Sequence, residues 1–208
     1  MITENMMHVL KLESSKENRK EMNGMELLNI PKEKILVLDT ETTGIDDKAE
    51  ILQLSIIDGT GRTIIDQYFR PEHTASWPEA AAVNGITPDM IKNKPGIASI
   101  AEMLEKLLAN AALIIGYNLP FDLRMLVQAG IALPIERKYL DIMIPFARMY
   151  GEWNEFYGDW KWQKLITCAE YCGYTGDGWH NSLADVKATL FCFEQLAEVG
   201  LFTDADIY

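Results

Sequence analysis

The sequence lacks long apolar segments and contains few cysteines. No stretch approaches the roughly 20 uninterrupted apolar residues that a transmembrane helix needs, and the first residues do not have the basic-then-apolar order of a secretory signal. We therefore expect a cytoplasmic protein that makes no membrane contact. The cysteines are three in number, with no CxxC pair, so neither a disulfide framework nor a zinc site is indicated; buried thiols are the simplest interpretation of Cys168, Cys172 and Cys192.

Basic residues are also scarce. The 208-residue chain has 19 Lys and Arg against 31 Asp and Glu, which gives a formal net charge of -12 at pH 7. This excess of negative charge argues against a simple nucleic-acid-binding module that grips the phosphate backbone through a broad positive surface. The objection is weaker for an enzyme whose carboxylates hold divalent cations, because the bound cations themselves attract phosphate.

Hydrophobic residues make up 48% of the chain, which is enough for the core of one domain. Residues 1–34 are polar and of mixed charge, and we expect a loosely attached N-terminal extension followed by a domain over residues 35–202. Apolar runs predict successive strands at 35–38, 51–57 and 63–69, the last two joined by a hairpin at Gly59-Thr60-Gly61.

Strands and helices are predicted to alternate in the rest of the chain. The segment after Pro71 is interpreted as irregular, and 149–162 as an aromatic-rich connection. Between and beyond them the hydrophobic pattern predicts a helix over 100–108, a buried strand over 112–117, a helix ending at Gly130, a strand near Tyr139, a helix through Cys168 and a final helix from Ser182 to about Val199.

Two acidic residues end the first predicted strand. Asp39 and Glu41 are two positions apart, so in extended chain both carboxylates project from one face. Unshielded, such neighbours repel each other, whereas Mg²⁺ or Mn²⁺ favours several carboxylate oxygens. A metal ion explains the pair economically, although the same residues are equally compatible with the start of a turn.

A third acid, Asp122, falls in the first turn of a predicted helix among apolar neighbours. The helix dipole stabilises a carboxylate there by at most about 1 kcal/mol, which is less than the cost of burying an isolated ion, and a bound cation would close the gap. Taken alone, Asp122 is better explained as an ordinary first-turn acid that faces water, with Asn118 as the helix cap.

Near the C-terminus, His180 precedes a predicted helix and Asp185 lies inside it, at the border of the buried stripe. An imidazole on a loop beside a metal-binding carboxylate can take a proton from an attacking water near neutral pH. A lone histidine is more often a solvated loop residue, and we interpret His8 and His73 in this way. His180 differs from them because it precedes Asp185 at the start of the same predicted helix.

Together these segments resemble a known family. Three motifs resemble, in their order, those of the DEDDh branch of the DnaQ-like 3'-5' exonucleases: Asp39-Thr40-Glu41-Thr42-Thr43-Gly44, Tyr117-Asn118-Leu119-Pro120-Phe121-Asp122 and His180-Asn181-Ser182-Leu183-Ala184-Asp185. The third motif also has the His-to-Asp spacing of that branch. That family includes polymerase proofreading subunits and has a ribonuclease H-like fold. The resemblance covers roughly residues 35–199. Tyr117, where many members have His, and Ser182, often Ala, depart from the pattern, but neither is a metal ligand.

The resemblance implies an α/β fold with a central mixed five-stranded sheet flanked by helices. It also implies two divalent ions, Mg²⁺ or Mn²⁺, held by Asp39, Glu41, Asp122 and Asp185, with His180 as the general base. Phosphodiester hydrolysis by the two-metal pattern would then release nucleoside 5'-monophosphates. The substrate-binding residues by the same analogy are Thr42, Thr43, Gly44, Asn118 and Phe121.

Single-stranded DNA 3' ends are the substrate that we favour, and short RNA or transfer-RNA ends are the alternative. A DNA polymerase or a second copy of the chain is a possible partner. The aromatic connection carries Trp153, Phe156, Tyr157, Trp160 and Trp162 beside Lys161 and Lys164, a mixture compatible with stacking on unpaired bases or with a packed or dimeric surface.

Overall fold

The computed structural model describes residues 27–208. Residues 1–26, which form most of the predicted N-terminal extension, lie outside the described part. The remaining residues of that segment contact the domain: Leu27 is fully buried in the core, and the Gly59 N–H donates to the Lys32 carbonyl at 2.9 Å. The loose attachment of residues 1–26 stays a prediction.

A mixed five-stranded sheet is the centre of the fold, as predicted. Its order is β3-β2-β1-β4-β5, in which β1 and β2 pair antiparallel, as do β2 and β3, while β4 runs parallel to both β1 and β5. The strands are β1 (Ile35–Thr42), β2 (Ile51–Asp58), β3 (Thr63–Tyr68), β4 (Leu113–Gly116) and β5 (Lys138–Asp141).

Seven α-helices accompany the sheet in residues 27–208: α1 (Pro78–Asn84), α2 (Pro88–Ile91), α3 (Ala101–Asn110), α4 (Leu119–Gln128), α5 (Met143–Tyr150), α6 (Leu165–Cys172) and α7 (Ser182–Glu198). Short 3-10 turns occupy Lys32–Lys34, Ile97–Ile100 and Asp204–Asp206. Along β1, side chains alternate between two cores: Val37 packs with residues of α5, α6 and α7, whereas Leu36 and Leu38 pack with residues of α3 and α4. Because both faces are covered, β1 is apolar until its end.

The segment after Pro71 contains two short helices, so its interpretation as irregular was wrong. Pro78 and Pro88 stand at the first helical positions of α1 and α2, where the missing N–H costs no hydrogen bond and the fixed φ suits a helix. Gly85, with φ of 71°, ends α1. α1 has no fully buried residue and α2 buries only Ile91, so no periodic apolar pattern marked them.

The aromatic connection includes the end of α5 and a small hairpin of β6 (Trp153–Asn154) and β7 (Asp159–Trp160). Trp153 and Trp160 face each other edge to face, with ring centroids 5.1 Å apart. Phe156 and Tyr157 at the tip are largely exposed. Between residues 27 and 208, none of the helices combines the length and the apolar character that crossing a bilayer requires.

Candidate active site

The end of β1 carries the first two acids of the site. Asp39 and Glu41 project to the same side of the strand, and Asp185 from α7 meets them there; one carboxylate oxygen of each lies within 4.8 Å of the others. All three are partly exposed, so the cluster opens to solvent. Three carboxylates at this spacing repel one another unless a cation or protons lie between them.

Asp122 lies beside this cluster, on the other side of Thr40. It is in the first turn of α4 and almost completely buried, and its Oδ1 accepts hydrogen bonds from the Thr40 backbone N–H at 2.9 Å and the Thr40 Oγ1 at 2.6 Å. Its charge reaches Asp39, whose pKa it helps to raise. The structure therefore brings Asp122 next to Asp39 but not into the tight group of three.

The turn before α4 is held by a further buried acid, Asp141 at the end of β5. Asp141 Oδ1 accepts from the backbone N–H groups of Asn118 at 2.8 Å and Met143 at 3.0 Å. Asn118 itself has a left-handed backbone, with φ of 62°, which asparagine tolerates better than most residues. Asp141 thus fixes the turn from which α4 presents Asp122.

The start of α7 positions the last two predicted site residues. Asn181 caps the helix, because its side-chain oxygen accepts from the Leu183 N–H at 3.2 Å. One turn later, Asp185 faces the cluster, and its Oδ1 is buried without a hydrogen-bond partner within the described residues. His180 lies just before the cap; it is exposed and has a positive φ of 63°.

The pKa values of the clustered acids are raised, chiefly by burial. Burial and then the charge of Asp185 raise the pKa of Glu41 to about 7, and burial raises the pKa of Asp185 to about 6. Burial also raises the pKa of Asp122 to about 8, against the opposing hydrogen bonds from Thr40. For Asp39, burial followed by the charges of Asp122, Asp185 and Glu41 raises the pKa well above its ordinary value.

These features fit a divalent cation. The cluster offers hard oxygen ligands from both ends of the chain, one of its buried oxygens has no protein partner, and its carboxylates are held together at an energetic cost that a positive charge would offset. Asp39, Glu41 and Asp185 are placed to share one ion. The charge of Asp122 acts on Asp39, but Asp122 lies outside this group of three.

Comparison with known proteins adds the family. Residues 36–193 match the model of a family described as Exonuclease. The chain belongs to this exonuclease family. A protein of Escherichia phage 186 named an uncharacterized exonuclease is 31% identical to the chain over 176 residues, which are 79% of the chain and 89% of the phage protein. The enzyme class is therefore a nuclease that hydrolyses phosphodiester bonds.

Two more relatives of the exonuclease share part of their length with it. The epsilon subunit of DNA polymerase III from Rickettsia typhi is 33% identical over 97 residues, 44% of the chain and 42% of the subunit. The crystal structure of Escherichia coli exonuclease I with a dT13 oligonucleotide has a TM-score of 0.62 and 20% identity, over 80% of the chain and 41% of exonuclease I. The chain thus spans less than half of each protein. The latter likeness supports the ribonuclease H-like α/β fold.

The predicted substrate-binding residues of the exonuclease lie at or just after the end of β1 and at the start of α4, the two elements that carry Asp39, Glu41 and Asp122. Thr42 is buried at the end of β1 with its Oγ1 donating to the Gly44 carbonyl at 2.6 Å, and the Thr43 Oγ1 accepts from the Glu50 N–H at 2.9 Å. Phe121 is partly buried on α4, with the Arg124 guanidinium 5.3 Å from its ring centroid. Asn118 is exposed. Their contact with a nucleotide stays a prediction.

Sequence reasoning missed two residues that act on these acids: Asn84, through a hydrogen bond to Glu41, and Asp141, through its charge near Asp122. Asn84, at the end of α1, hydrogen-bonds to Glu41 and thereby lowers its pKa, and it donates to the Thr42 carbonyl at 3.3 Å. Only recognition of Pro78 as a helix start would have drawn attention to it. Asp141 carried a usable signal, since it is an acid at the end of a buried apolar run, as Asp39 is.

Proposed function

We propose that the protein is a metal-dependent 3'-5' exonuclease that removes nucleotides from single-stranded DNA. The observation that carries the proposal is the convergence of Asp39 and Glu41 from β1 with Asp185 from α7, next to Asp122 from α4. Residues so far apart in sequence meet near the C-terminal end of β1, the central strand of the sheet, where their charges need compensation. The similarity to an epsilon subunit and to exonuclease I, which was crystallised with an oligodeoxynucleotide, favours DNA as the substrate.

Asp39, Glu41, Asp122 and Asp185 would hold two divalent ions, Mg²⁺ or Mn²⁺. When bound, the ions would lower the pKa of a coordinated water and stabilise the negative charge on the departing 3' oxygen. The protein's part is to hold four oxygen donors in place before the substrate arrives. Thr40 fixes Asp122, and the Asn181 cap fixes the turn that carries Asp185.

His180 would take the proton from the attacking water. Its side chain is exposed, and it lies directly before the Asn181 cap of the helix that carries Asp185. A neutral imidazole accepts a proton near pH 7. The hydrogen bond that the His180 backbone makes to Asp185 couples the loop to the metal-binding acid.

The terminal nucleotide would lie against the turn of Thr42, Thr43 and Gly44. A side chain at position 44 would meet no atom within 4 Å, so the space above this backbone is open to a ligand. Phe121 and Asn118, at the start of α4, would contact the same nucleotide by family analogy. Because a terminal base enters the opening unpaired, single strands or frayed ends would be cut faster than blunt duplex.

The decisive experiment uses one oligonucleotide labelled separately at its 5' and its 3' end, as DNA and as RNA, in Mg²⁺. Hydrolysis from the 3' end gives a ladder from the 5' label and immediate release of a labelled mononucleotide from the 3' label. Asp185→Asn should nearly abolish both, while Asp89→Asn, an exposed acid on α2, should leave them unchanged. Faster cutting of the RNA would replace DNA as the proposed substrate. Release of mononucleotide from the 5' label would refute the polarity.

An association with a DNA polymerase is a second proposal, and it rests on the similarity to an epsilon subunit. The test is a deletion that ends before Leu27, because Leu27 belongs to the core. If residues 1–26 recruit a polymerase, the deletion variant will digest free oligonucleotides normally but will no longer co-purify with the polymerase. A homodimer would instead appear as doubling of the mass in solution.

A further inference from the structure

All three cysteines of the chain meet in one place. Cys168 and Cys172 lie on α6 and Cys192 on α7, and their sulfur atoms are all within 4.8 Å of one another. Cys168 and Cys172 are four residues apart, so they occupy one face of α6 on successive turns, and that face packs against α7. Proximity in sequence accounts for only two of the three sulfurs.

The spacing matches that of a thiolate metal site. With Zn–S bonds of about 2.3 Å, sulfurs bound to one ion lie about 4 Å apart, within the limit that the three cysteines satisfy. Cys168 and Cys192 are fully buried, whereas Cys172 is partly exposed. Its side of the cluster therefore offers a path from solvent, both for the ion and for a water molecule as a fourth ligand.

We propose that Cys168, Cys172 and Cys192 form a binding site for one thiophilic divalent cation of the Zn²⁺ and Cd²⁺ class. The site is separate from the carboxylate cluster: soft sulfur ligands select soft or borderline ions, whereas carboxylates select Mg²⁺ or Mn²⁺. A bound ion links α6 to α7, and α7 also carries Asp185, two turns before Cys192. The ion thus holds α6 against the helix that carries Asp185.

Binding exchanges protons for metal without any redox change. Each thiol releases one proton to solvent and forms one metal–sulfur bond. Hydrogen bonds from Cys168 first, and from Cys172, lower the pKa of Cys192. Burial raises the pKa of Cys172 to about 12. The affinity for the cation should rise with pH, because metal binding has to displace the thiol protons.

The test is a Cd²⁺ titration of the full chain, in which binding is measured as the ultraviolet sulfur-to-cadmium charge-transfer absorbance. Excess Mg²⁺ occupies the carboxylates, and a thiol-free reductant keeps the cysteines reduced. Because the chain has no cysteine besides these three, any thiolate–cadmium signal arises from them. We expect a sharp end point at one ion per chain. Size-exclusion chromatography distinguishes this from an ion shared by two chains.

Cys172→Ser and Cys172→Ala are the variants of choice, since the partly exposed Cys172 tolerates replacement best. Each should weaken Cd²⁺ binding on the order of 100-fold, with nuclease activity in Mg²⁺ as the check of folding. Glu41→Gln should leave the absorbance intact, because the carboxylate site is not involved. Absence of the charge-transfer band in the wild type, or wild-type Cd²⁺ affinity in both Cys172 variants, would overturn the proposal. A wild type that shows the charge-transfer band but has no nuclease activity in Mg²⁺ would count against the proposed function instead.

Discussion

Thr40 hydrogen-bonds twice to a single oxygen of Asp122, through its backbone N–H at 2.9 Å and its Oγ1 at 2.6 Å. The two residues are 82 positions apart in the sequence, and both are buried. The contact joins β1, which carries Asp39 and Glu41, to α4. Thr40, which lies between the two acids of β1, therefore holds the third acid, Asp122, in place.

Thr40→Val should lower activity without unfolding the protein. Valine keeps the shape and the backbone bond but removes the Oγ1 donor, and with it a hydrogen bond that lowers the pKa of Asp122. We expect Mg²⁺-dependent hydrolysis at neutral pH to fall about 10-fold, equivalent to about 1.4 kcal/mol, and the pH profile to move to higher pH. Thr63→Val, on the exposed start of β3, is the control. An unchanged pH profile in Thr40→Val would contradict the assigned role.

Stability of the metal-free protein should fall as pH rises. The pKa of Glu41 is raised from its ordinary value of 4.5 to about 7, and that of Asp185 from 3.8 to about 6. Between the unfolded and the folded pKa values, the folded state therefore binds more protons than the unfolded state. The stability that these protons contribute is complete below about pH 4 and is lost as pH rises through about 7.

Urea denaturation in EDTA measures this effect. The free energy of unfolding should be lower at about pH 8 than at about pH 5, by an amount on the order of 1–3 kcal/mol. Glu41→Gln should flatten the dependence, because glutamine cannot ionise. Mg²⁺ should stabilise the wild type more at the higher pH, where the acids are charged. A wild-type protein that gains stability over this range in EDTA would refute the raised values.

Asp141→Asn should impair the site from a distance. Asp141 accepts N–H groups from Asn118 and Met143, and an amide places a donor where one of its acceptor oxygens was. Loss of a buried, charge-assisted acceptor costs about 1–3 kcal/mol. We expect that loss in chemical denaturation and a lower kcat with little change in KM, because Asp122 is displaced. Asp159→Asn, in the exposed hairpin, should match the wild type in both measurements.

Ser55 and Ser182 should respond unequally to alanine. Their hydroxyls are 2.7 Å apart and fully buried, but the Ser55 Oγ also donates to Asp66 at 3.1 Å. Ser182→Ala leaves Ser55 with a hydrogen-bond partner and should lower the free energy of unfolding by less than about 1 kcal/mol. Ser55→Ala leaves the buried Ser182 hydroxyl without its Ser55 partner and should lower it by about 1–3 kcal/mol.

The double variant should be no less stable than Ser55→Ala alone, since it also removes the Ser182 hydroxyl that has lost its Ser55 partner. Thermal or urea unfolding of the four proteins completes the cycle. Equal costs for the two single variants would mean that the Asp66 hydrogen bond does not support Ser55 in solution.

Strand positions and the long helices were predictable because their apolar residues repeat with a clear period. The strand Ile35–Thr42 and the helix Ser182–Glu198 lie close to their predicted positions. The short helices Pro78–Asn84 and Pro88–Ile91 were not predicted, since each is too brief for a period to appear. Asn84 was consequently missed as a neighbour of Glu41.

The sequence by itself determined the type of fold and the candidate acids, because alternating apolar residues and motif spacing are local properties of the chain. Only the tertiary structure decided which groups meet. It placed Asp185 against Asp39, put Asp141 behind Asn118, and brought Cys192 to Cys168 and Cys172. Such distances depend on strand order and helix packing, which are set by the burial of both faces of the sheet rather than by any one segment.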